Sequence, residues 1–281
     1  MNTRLYMLVG IGAGLLAGCG GSGGDANGGL SASQDSNTSP GGTGNTPGSS
    51  SLQASPGGFW EGIDSDGGSI NLLVTETGRF HLIDSDLSQG SGMLNVSDTN
   101  DVNASFQFVT ESGSTFADGT TSTICSLAGS LVERQSLIIT VNCHNTAGLT
   151  REFSATLSSK IVYEGDSSLA TIAGNYQGEK FVLDIAGDGM LFSQEAVSGC
   201  VINGQAGIID SAFNAYDVEF VYSNCTGADM AMNGDSFVGI ALLDDTVTPQ
   251  ALYLVAIGDT DGDDVSFEGN FVSFVETLAR L

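Results

Sequence analysis

The feature that most restricts the fold of this chain is an internal repeat. Gly58-Phe59-Trp60-Glu61-Gly62 corresponds to Gly174-Asn175-Tyr176-Gln177-Gly178, and further landmarks follow in the same order. The other matching pairs, separated by about 110 residues, are Gly78 with Gly189, Gly92 with Gly199, Gly129 with Gly239, and Phe153 with Phe267. Such regular spacing indicates duplication of one structural unit. The sequence therefore predicts two modules, at residues 58–160 and 170–281.

Within each module, apolar and polar residues alternate as they do in half-buried strands. Residues 103–108 and 152–157 alternate strictly, and only residues 274–281 have a spacing that suggests a helix. Strand candidates start near Gly58, Ser69, Arg79, Gly92, Val102, Ser122, Ser136 and Arg151, and near Ile172, Lys180, Met190, Gly199, Tyr216, Phe237, Ala251 and Val265. We expect an all-β fold of two tandem antiparallel modules of about eight strands each, forming up-and-down barrels. The alternative is a pair of β-sandwiches.

The N-terminus has the layout of an export signal. Arg4 precedes the apolar residues 5–17, a stretch shorter than the roughly 20 residues that span a bilayer. The stretch ends in Leu16-Ala17-Gly18-Cys19, which resembles the lipobox of bacterial lipoproteins. That resemblance implies cleavage before Cys19 and attachment of lipid, such as palmitate, to this cysteine. Gly20 is the residue that follows, and the resemblance then implies the outer membrane, with the chain facing either the periplasm or the surface.

Between the lipidated cysteine and the first module, residues 19–57 are mostly Gly, Ser, Asn, Thr, Asp and Pro. Such a segment cannot bury enough apolar surface to offset the entropy lost on ordering, so the composition predicts a disordered tether. The expected organisation is a signal peptide at residues 1–18, a tether at 19–57 and the two modules.

Four cysteines remain after Cys19, an even number that indicates disulfides in an exported chain. Cys125 and Cys143 lie nine residues on either side of Arg134, so a hairpin centred there places them opposite each other. Cys200 and Cys225 flank a second turn, but Cys225 has the strand parity of Glu219 rather than that of the apolar Phe220. Their bridge requires either a bulge or a strand that ends before Cys225.

The acidic residues exclude one class of partner and suggest one cofactor. The chain has 33 Asp and Glu against 7 Lys and Arg, a net charge of −26 that disfavours binding to nucleic acid.

Alternate acids at Asp259, Asp261 and Asp263 could bind calcium, although the full calcium-loop spacing is absent. The loops with Asp64 and Asp66, and with Asp84 and Asp86, should converge on one rim of the first barrel. Solvated turn acids are the simpler interpretation of all these residues.

Gly58-Phe59-Trp60 resembles the Gly-x-Trp signature of lipocalins, eight-stranded barrels that often carry small apolar molecules. The resemblance implies a carrier, yet the lipocalin Thr-Asp-Tyr motif is absent and Tyr176 replaces the tryptophan in the second module. A structural role for Trp60, closing one barrel end, needs no ligand. If an interior is open, the small residues Gly204, Ala206 and Gly207 favour the second module.

Residues that could perform catalysis are few. His81 lies between Phe80 and Leu82, which predicts that it faces solvent, and His144 follows Cys143. Residues 164–168 superficially resemble the nucleophile block of Gly-Asp-Ser lipases, but no histidine follows to activate the serine. The predicted function is a non-enzymatic binding or envelope-structural role in an outer-membrane lipoprotein, whose partners are the membrane and an envelope protein or small apolar ligand. A lipocalin-like carrier is the alternative, and an enzyme comes third.

Overall fold

The first module is a closed antiparallel barrel in the computed structural model, which describes residues 53–111, 113–144, 150–179, 181–259 and 271–281. Its strands are β1 (Gly58–Asp64), β2 (Ser69–Val74), β3 (Arg79–Ile83), β4 (Gln89–Met93), β5 (Asn95–Val96), β6 (Asp101–Val109), β7 (Ser122–Val132), β8 (Ser136–His144) and β9 (Thr150–Lys160). The sheet closes because β4 pairs with both β3 and β6 and β1 pairs with β9. The short β5 pairs with β6 outside this ring of eight strands.

The second module is also a closed barrel of eight antiparallel strands. They are β10 (Gly174–Gln177), β11 (Val182–Ile185), β12 (Met190–Gln194), β13 (Val201–Ile208), β14 (Tyr216–Ser223), β15 (Ser236–Asp244), β16 (Ala251–Asp259) and β17 (Phe271–Arg280). Short helices at Ile161–Glu164, Leu169–Ile172 and Gly227–Met232 complete the described elements. The predicted barrels are confirmed, whereas the helical spacing of residues 274–281 was misleading because β17 covers most of them.

One predicted pair of the repeat, Gly92 with Gly199, is wrong. Gly92 lies opposite Phe80, and Gly204 lies opposite Leu191, each two residues after its turn glycine, so Gly92 corresponds to Gly204.

Gly78 and Gly189, by contrast, make equivalent contacts. Gly78 and Gly189 both have positive φ angles, and their carbonyls accept hydrogen bonds from the amides of Leu94 and Ala206 at 2.8 and 2.7 Å. A β-carbon at either glycine would lie about 2.5 Å from the carbonyl oxygen of that partner residue, so both positions require glycine. The duplication therefore preserves one turn geometry. The pair Phe153 and Phe267 cannot be compared, because Phe267 lies outside the described residues.

The first strand of each barrel also carries equivalent aromatic residues. The Trp60 indole nitrogen donates to the carbonyl of Pro56 at 3.2 Å, and the Tyr176 hydroxyl donates to that of Ile172 at 2.6 Å. Both rings are fully buried, and each bonds the carbonyl four residues before it. Each aromatic residue therefore fixes the segment that leads into its barrel, as expected for a structural Trp60.

The two disulfides have the predicted local pairing. Cys125 lies directly opposite Cys143 in the β7–β8 register, and both side chains are buried in the first barrel. Cys200 bonds Cys225 just beyond the paired ends of β13 and β14, since β14 ends at Ser223. Of the two predicted possibilities, a bulge or a strand that ends before Cys225, the structure has the second.

Side chains fill both barrel interiors. In the first barrel the rings of Phe80 and Phe106 meet edge to face at 5.4 Å, within a core of 22 buried residues. In the second, Phe220 stacks on Phe237 at 5.0 Å. The expectation of extra room at Gly204 is wrong, because a β-carbon there would lie 2.2 Å from the carbonyl oxygen of Glu219. This glycine permits close strand approach rather than a cavity.

A third apolar cluster, the barrel interface, lies outside both interiors. Leu73 on β2 and Leu242 on β15 point away from their own barrels, yet they are 2 % and 0 % exposed. The buried apolar residues of the barrel interface are Phe59, Leu73, Ile83, Tyr163, Ala215, Ile240, Leu242 and Val255. Residues 50–281 consequently form one compact unit.

Polar contacts reinforce the barrel interface. The buried Gln89 side chain donates to the carbonyl of Ala256 at 2.7 Å, and the Ser273 hydroxyl donates to that of Leu87 at 2.8 Å. The Ser273 amide also donates to the carbonyl of Thr110 at 3.0 Å. These bonds join β4 and its neighbouring loops to β16 and β17, which fixes the orientation of one barrel against the other.

Arg134, in the β7–β8 turn, secures the segment that connects the barrels. Its guanidinium pairs with Glu76 at 2.5 Å and with Glu164 at 3.1 Å. It also lies over the rings of Tyr163 and Phe213, 5.2 and 4.9 Å from their centroids. The Arg134 side chain thus joins the first barrel to the short helix Ile161–Glu164 and to the loop of the second barrel that contains Phe213.

Candidate functional site

A groove of about 420 Å³ opens between the two barrels, next to the barrel interface. The outer faces of β3 and β4 form one wall, and β15, β16 and the start of β17 form the other. The lining side chains that define this inter-barrel groove are Arg79, His81, Ser91, Met93, Ser236, Val238, Ile257 and Phe271. Most of the lining is apolar, and Met93 and Val238 are more than half exposed at its opening. The groove is therefore accessible from solvent and falls in the usual size range of small-molecule sites.

His81 lies in this groove and does not face solvent as predicted. Alternation along β3 does point it away from Phe80 and Leu82, but the second barrel covers that face, so the residue is only 3 % exposed. Burial, followed by the charge of Arg79, lowers the pKa of His81 to about 4, and the nearby Gln89 opposes the shift. The imidazole is therefore neutral at pH 7.

The side chains of His81 and Gln89 act on each other beside the groove. Nδ1 of His81 and the side-chain oxygen of Gln89 do not meet strict hydrogen-bond geometry, yet Gln89 acts as a hydrogen-bond partner of the imidazole and raises its pKa. Both atoms are fully buried, so neither is presented to the opening of the groove.

An ion pair across the barrels stands at the edge of the groove. The Arg79 guanidinium on β3 bonds the carboxylate of Asp217 on β14. The two side chains are 33 % and 50 % exposed, so solvent screens the pair and it adds little stability by itself. Its consequence for the groove is electrostatic, because Arg79, the cation among the described lining residues, already has the Asp217 carboxylate as its counter-ion.

A larger cavity, about 500 Å³, lies under residues 53–56 at one end of the first barrel. Glu76, its charged lining residue, accepts from the Ser55 hydroxyl and pairs with Arg134. These bonds hold residues 53–56 against the end of the first barrel. The Glu76 carboxylate is therefore already occupied by partners within the protein, which makes this cavity a weaker candidate site than the inter-barrel groove.

The two acid-bearing loops lie on the same rim of the first barrel, as predicted, but their carboxylates do not form a group of possible metal ligands among the described residues. Asp64 and Asp84 each accept two amides of their own turn, at 2.8–3.0 Å, and Asp84 also bonds Arg151 at 3.1 Å. Burial raises the pKa of Asp84, and the bond from Arg151 opposes this. The two loops are neighbours, since a β-carbon on Gly68 would lie 3.0 Å from the Ser85 hydroxyl. The carboxylates nevertheless cap turns and do not assemble into a site.

Among the described residues, one group places three metal-ligand types within 4.8 Å, formed by Glu195, Cys200 and Asp229. The sulfur of Cys200 is bonded to Cys225, so two carboxylates remain, and Glu195 also accepts from Ser198. This arrangement is a poor cation site. The predicted calcium ligands Asp261 and Asp263, and the side chain of Asp259, lie outside the described residues, so that site stays a prediction.

The other residues considered for catalysis, residues 164–168 and His144, do not form a catalytic arrangement among the described residues. Ser167 donates to the carbonyl of Asp210 at 3.0 Å, and Ser168 caps the helix Leu169–Ile172. Glu164 is bound to Arg134, so the lipase-like block serves as the connection between the barrels. His144 is exposed at the end of β8.

The sequence interpretation missed Gln89, Asp217 and the barrel interface. The available signal was loss of alternation, because Leu72-Leu73-Val74 and residues 240–243 are continuously apolar, as strands buried on both faces are. No helix in the described residues is long and apolar enough to cross a membrane, and Cys19 lies outside those residues. The chain matches no protein-family model and no curated protein.

Proposed function

We propose that this chain is a lipid-anchored protein of the bacterial outer membrane, with a non-enzymatic binding role. Leu16-Ala17-Gly18-Cys19 supports the anchor, and the composition of residues 19–52 predicts a tether long enough to hold a domain clear of the lipid. The predicted tether end at residue 57 is wrong, because Ala54 packs in the core of the first barrel. The observation that carries the binding role is the solvent-accessible, largely apolar inter-barrel groove. The domain faces either the periplasm or the cell surface.

The filled interiors weigh against the carrier alternative in its lipocalin-like form. Phe106 and Phe108 occupy the first barrel, and Phe220, Phe237 and Phe274 occupy the second. A ligand inside either barrel would have to displace packed aromatic residues, at a cost of several kcal/mol. Binding at the surface or between the barrels requires no such rearrangement.

The net negative charge of the protein favours a partner that is not an anion. Each basic side chain of the described residues contacts an acid or an amide or peptide carbonyl: Arg79, Arg134, Arg151, Lys160 and Arg280. Since the chain carries 33 acids, the rest of the acidic surface is unopposed and repels phosphate-rich ligands. The proposed partners are accordingly an envelope protein or a small apolar ligand, and not nucleic acid.

The anchor is tested by Cys19→Ala, which is expected to abolish fatty-acid labelling and release the protein from the membrane fraction. The thiol is the attachment point, and without it the lipid cannot be added. Gly20→Asp is the matched control: it should remain labelled, while fractionation should find it shifted towards the inner membrane. Labelling of Cys19→Ala at the wild-type level would refute the lipid anchor.

A further inference from the structure

We infer that an exposed sheet face of the second barrel binds another protein, through an apolar contact that is flanked by lysine or arginine side chains of the partner. The face, called here the β12–β13 face, consists of the outward side chains Asp184, Met190, Phe192, Asn203, Glu219 and Val221. None of these residues lines the inter-barrel groove. The inference therefore goes beyond the binding role proposed for the groove, and its test can fail while that proposal stands.

The apolar side chains of the β12–β13 face are neighbours. In the strand register Phe192 lies opposite Asn203, which in turn lies opposite Val221, and Met190 stands two residues before Phe192 on the same side of β12. Met190, Phe192 and Val221 are 57 %, 48 % and 43 % exposed. A single exposed apolar residue is ordinary, but three in two adjacent rows form a patch of the kind that marks an interaction surface.

Another exposed sheet face of the same protein has a different composition. The outer side of β7, β8 and β9 in the first barrel is exposed, and hydroxyl side chains predominate in its central rows. These rows are Ser130–Ile138–Thr156 and Ala128–Thr140–Ser154. A largely polar outer face is thus compatible with this barrel, so the fold does not require the apolar residues of the β12–β13 face.

The internal repeat identifies the equivalent face of the first barrel as a docking surface. His81 lies three residues after the turn glycine Gly78, and Phe192 lies three residues after Gly189. In the first barrel this position is covered by the second barrel, which leaves His81 only 3 % exposed. One copy of the repeat unit therefore already packs this face against a protein surface. A protein is accordingly the kind of partner that fits the equivalent face of the other copy.

The charges of the β12–β13 face favour a basic partner. Asp184 lies directly opposite Phe192, and Glu219 stands two residues before Val221 on β14. Both acids are exposed, and neither pairs with a cation of the described chain. Lysine or arginine side chains beside the apolar contact would supply both counter-ions, whereas nucleic acid or an anionic lipid would be repelled. A two-fold dimer through this face would bring the same carboxylates together, which disfavours a second copy of the chain.

The test compares two short peptides that carry the same number of lysines, alternating with valine in one and with serine in the other. Each labelled peptide is titrated by fluorescence anisotropy into the full chain in phosphatidylcholine nanodiscs, which have no net charge, with protein-free discs as the blank. The wild type should bind the valine peptide at least about fivefold more tightly than the serine peptide, since apolar burial adds to an equal charge interaction. Added salt should weaken the binding of both peptides.

Two matched pairs of variants locate the binding. Phe192→Thr should reduce the preference for the valine peptide to less than about twofold. Ile138→Thr removes a side chain of similar exposure, 50 %, from the first barrel and should leave the preference unchanged. Glu219→Gln should weaken the binding of both peptides by about twofold to fivefold, the usual effect of one exposed ion pair. Glu152→Gln, on the outer side of β9, should bind both peptides like the wild type.

Circular dichroism checks that each variant folds, and Met190→Gln, at the more exposed position, takes the place of Phe192→Thr if that variant does not. Absence of a preference for the valine peptide in the wild type would overturn the proposal, as would an equal loss of preference in Phe192→Thr and Ile138→Thr. Sedimentation that finds a dimer of the wild type, lost in Phe192→Thr, would assign the face to a second copy and overturn the basic partner.

Discussion

Replacing Leu242 with Asp is expected to lower the free energy of unfolding by roughly 4 kcal/mol and to separate the melting of the two barrels. Leu242 is fully buried in the barrel interface, among side chains from both barrels. Truncating a buried leucine costs about 2–5 kcal/mol, and the carboxylate adds the cost of a buried, unpaired charge. Urea unfolding followed by circular dichroism measures the loss.

Val238→Asp is the matched control for this prediction. Val238 lies on the same strand and the same outer face as Leu242, but it is 57 % exposed. Both variants add one negative charge to an already acidic protein, so general repulsion is equal in the two. We expect the control to stay within about 0.5 kcal/mol of the wild type. Similar losses in both variants would mean that the barrel interface contributes little stability.

Acidification is expected to destabilise the protein through His81. Because the pKa of His81 is about 4 in the folded state against 6.5 in the unfolded state, only the unfolded state takes up this proton between those values. The stabilisation that follows from this difference in pKa is complete above pH 6.5 and is lost as the pH falls towards 4. In total it lowers the free energy of unfolding by about 3 kcal/mol. Between pH 7 and pH 4.5 the loss should reach roughly 2 kcal/mol.

His81→Phe isolates this effect, since it keeps an aromatic ring in place and removes the titrating group. Asp84, whose pKa burial raises, acts in the opposite direction, but it is present in both proteins and its contribution cancels. The nearby charges, Arg79 and Asp217, are also retained. The free energy of unfolding from urea titrations at pH 7 and pH 4.5 should therefore depend less on pH in the variant. Equal pH dependence in both proteins would show that His81 does not stay neutral in the folded state.

Local sequence pattern was sufficient to predict each barrel separately. The parity of Cys125 and Cys143 about Arg134 fixes the β7–β8 register, because side chains alternate with a period of two. Gly78 and Gly189 were identified as repeat equivalents, and each occupies a turn that requires glycine. These features depend on neighbours along one hairpin, which the sequence contains directly.

The relation between the barrels could not be obtained in the same way. Leu73 and Ile83 break the alternation, which indicates that the outer face of the first barrel is covered, but not by what. Their partners, such as Leu242, lie more than 150 residues away in the chain. The prediction that His81 faces solvent failed for this reason: it assumed that an outward side chain in a barrel is an exposed one.

The most direct test of this account is scanning calorimetry of the wild-type chain with both disulfides intact. If the barrel interface joins the barrels into one unit, they should melt in a single transition, with a calorimetric enthalpy close to the van't Hoff enthalpy. Two resolved transitions, or a calorimetric enthalpy about twice the van't Hoff value, would show two independent barrels and contradict the account.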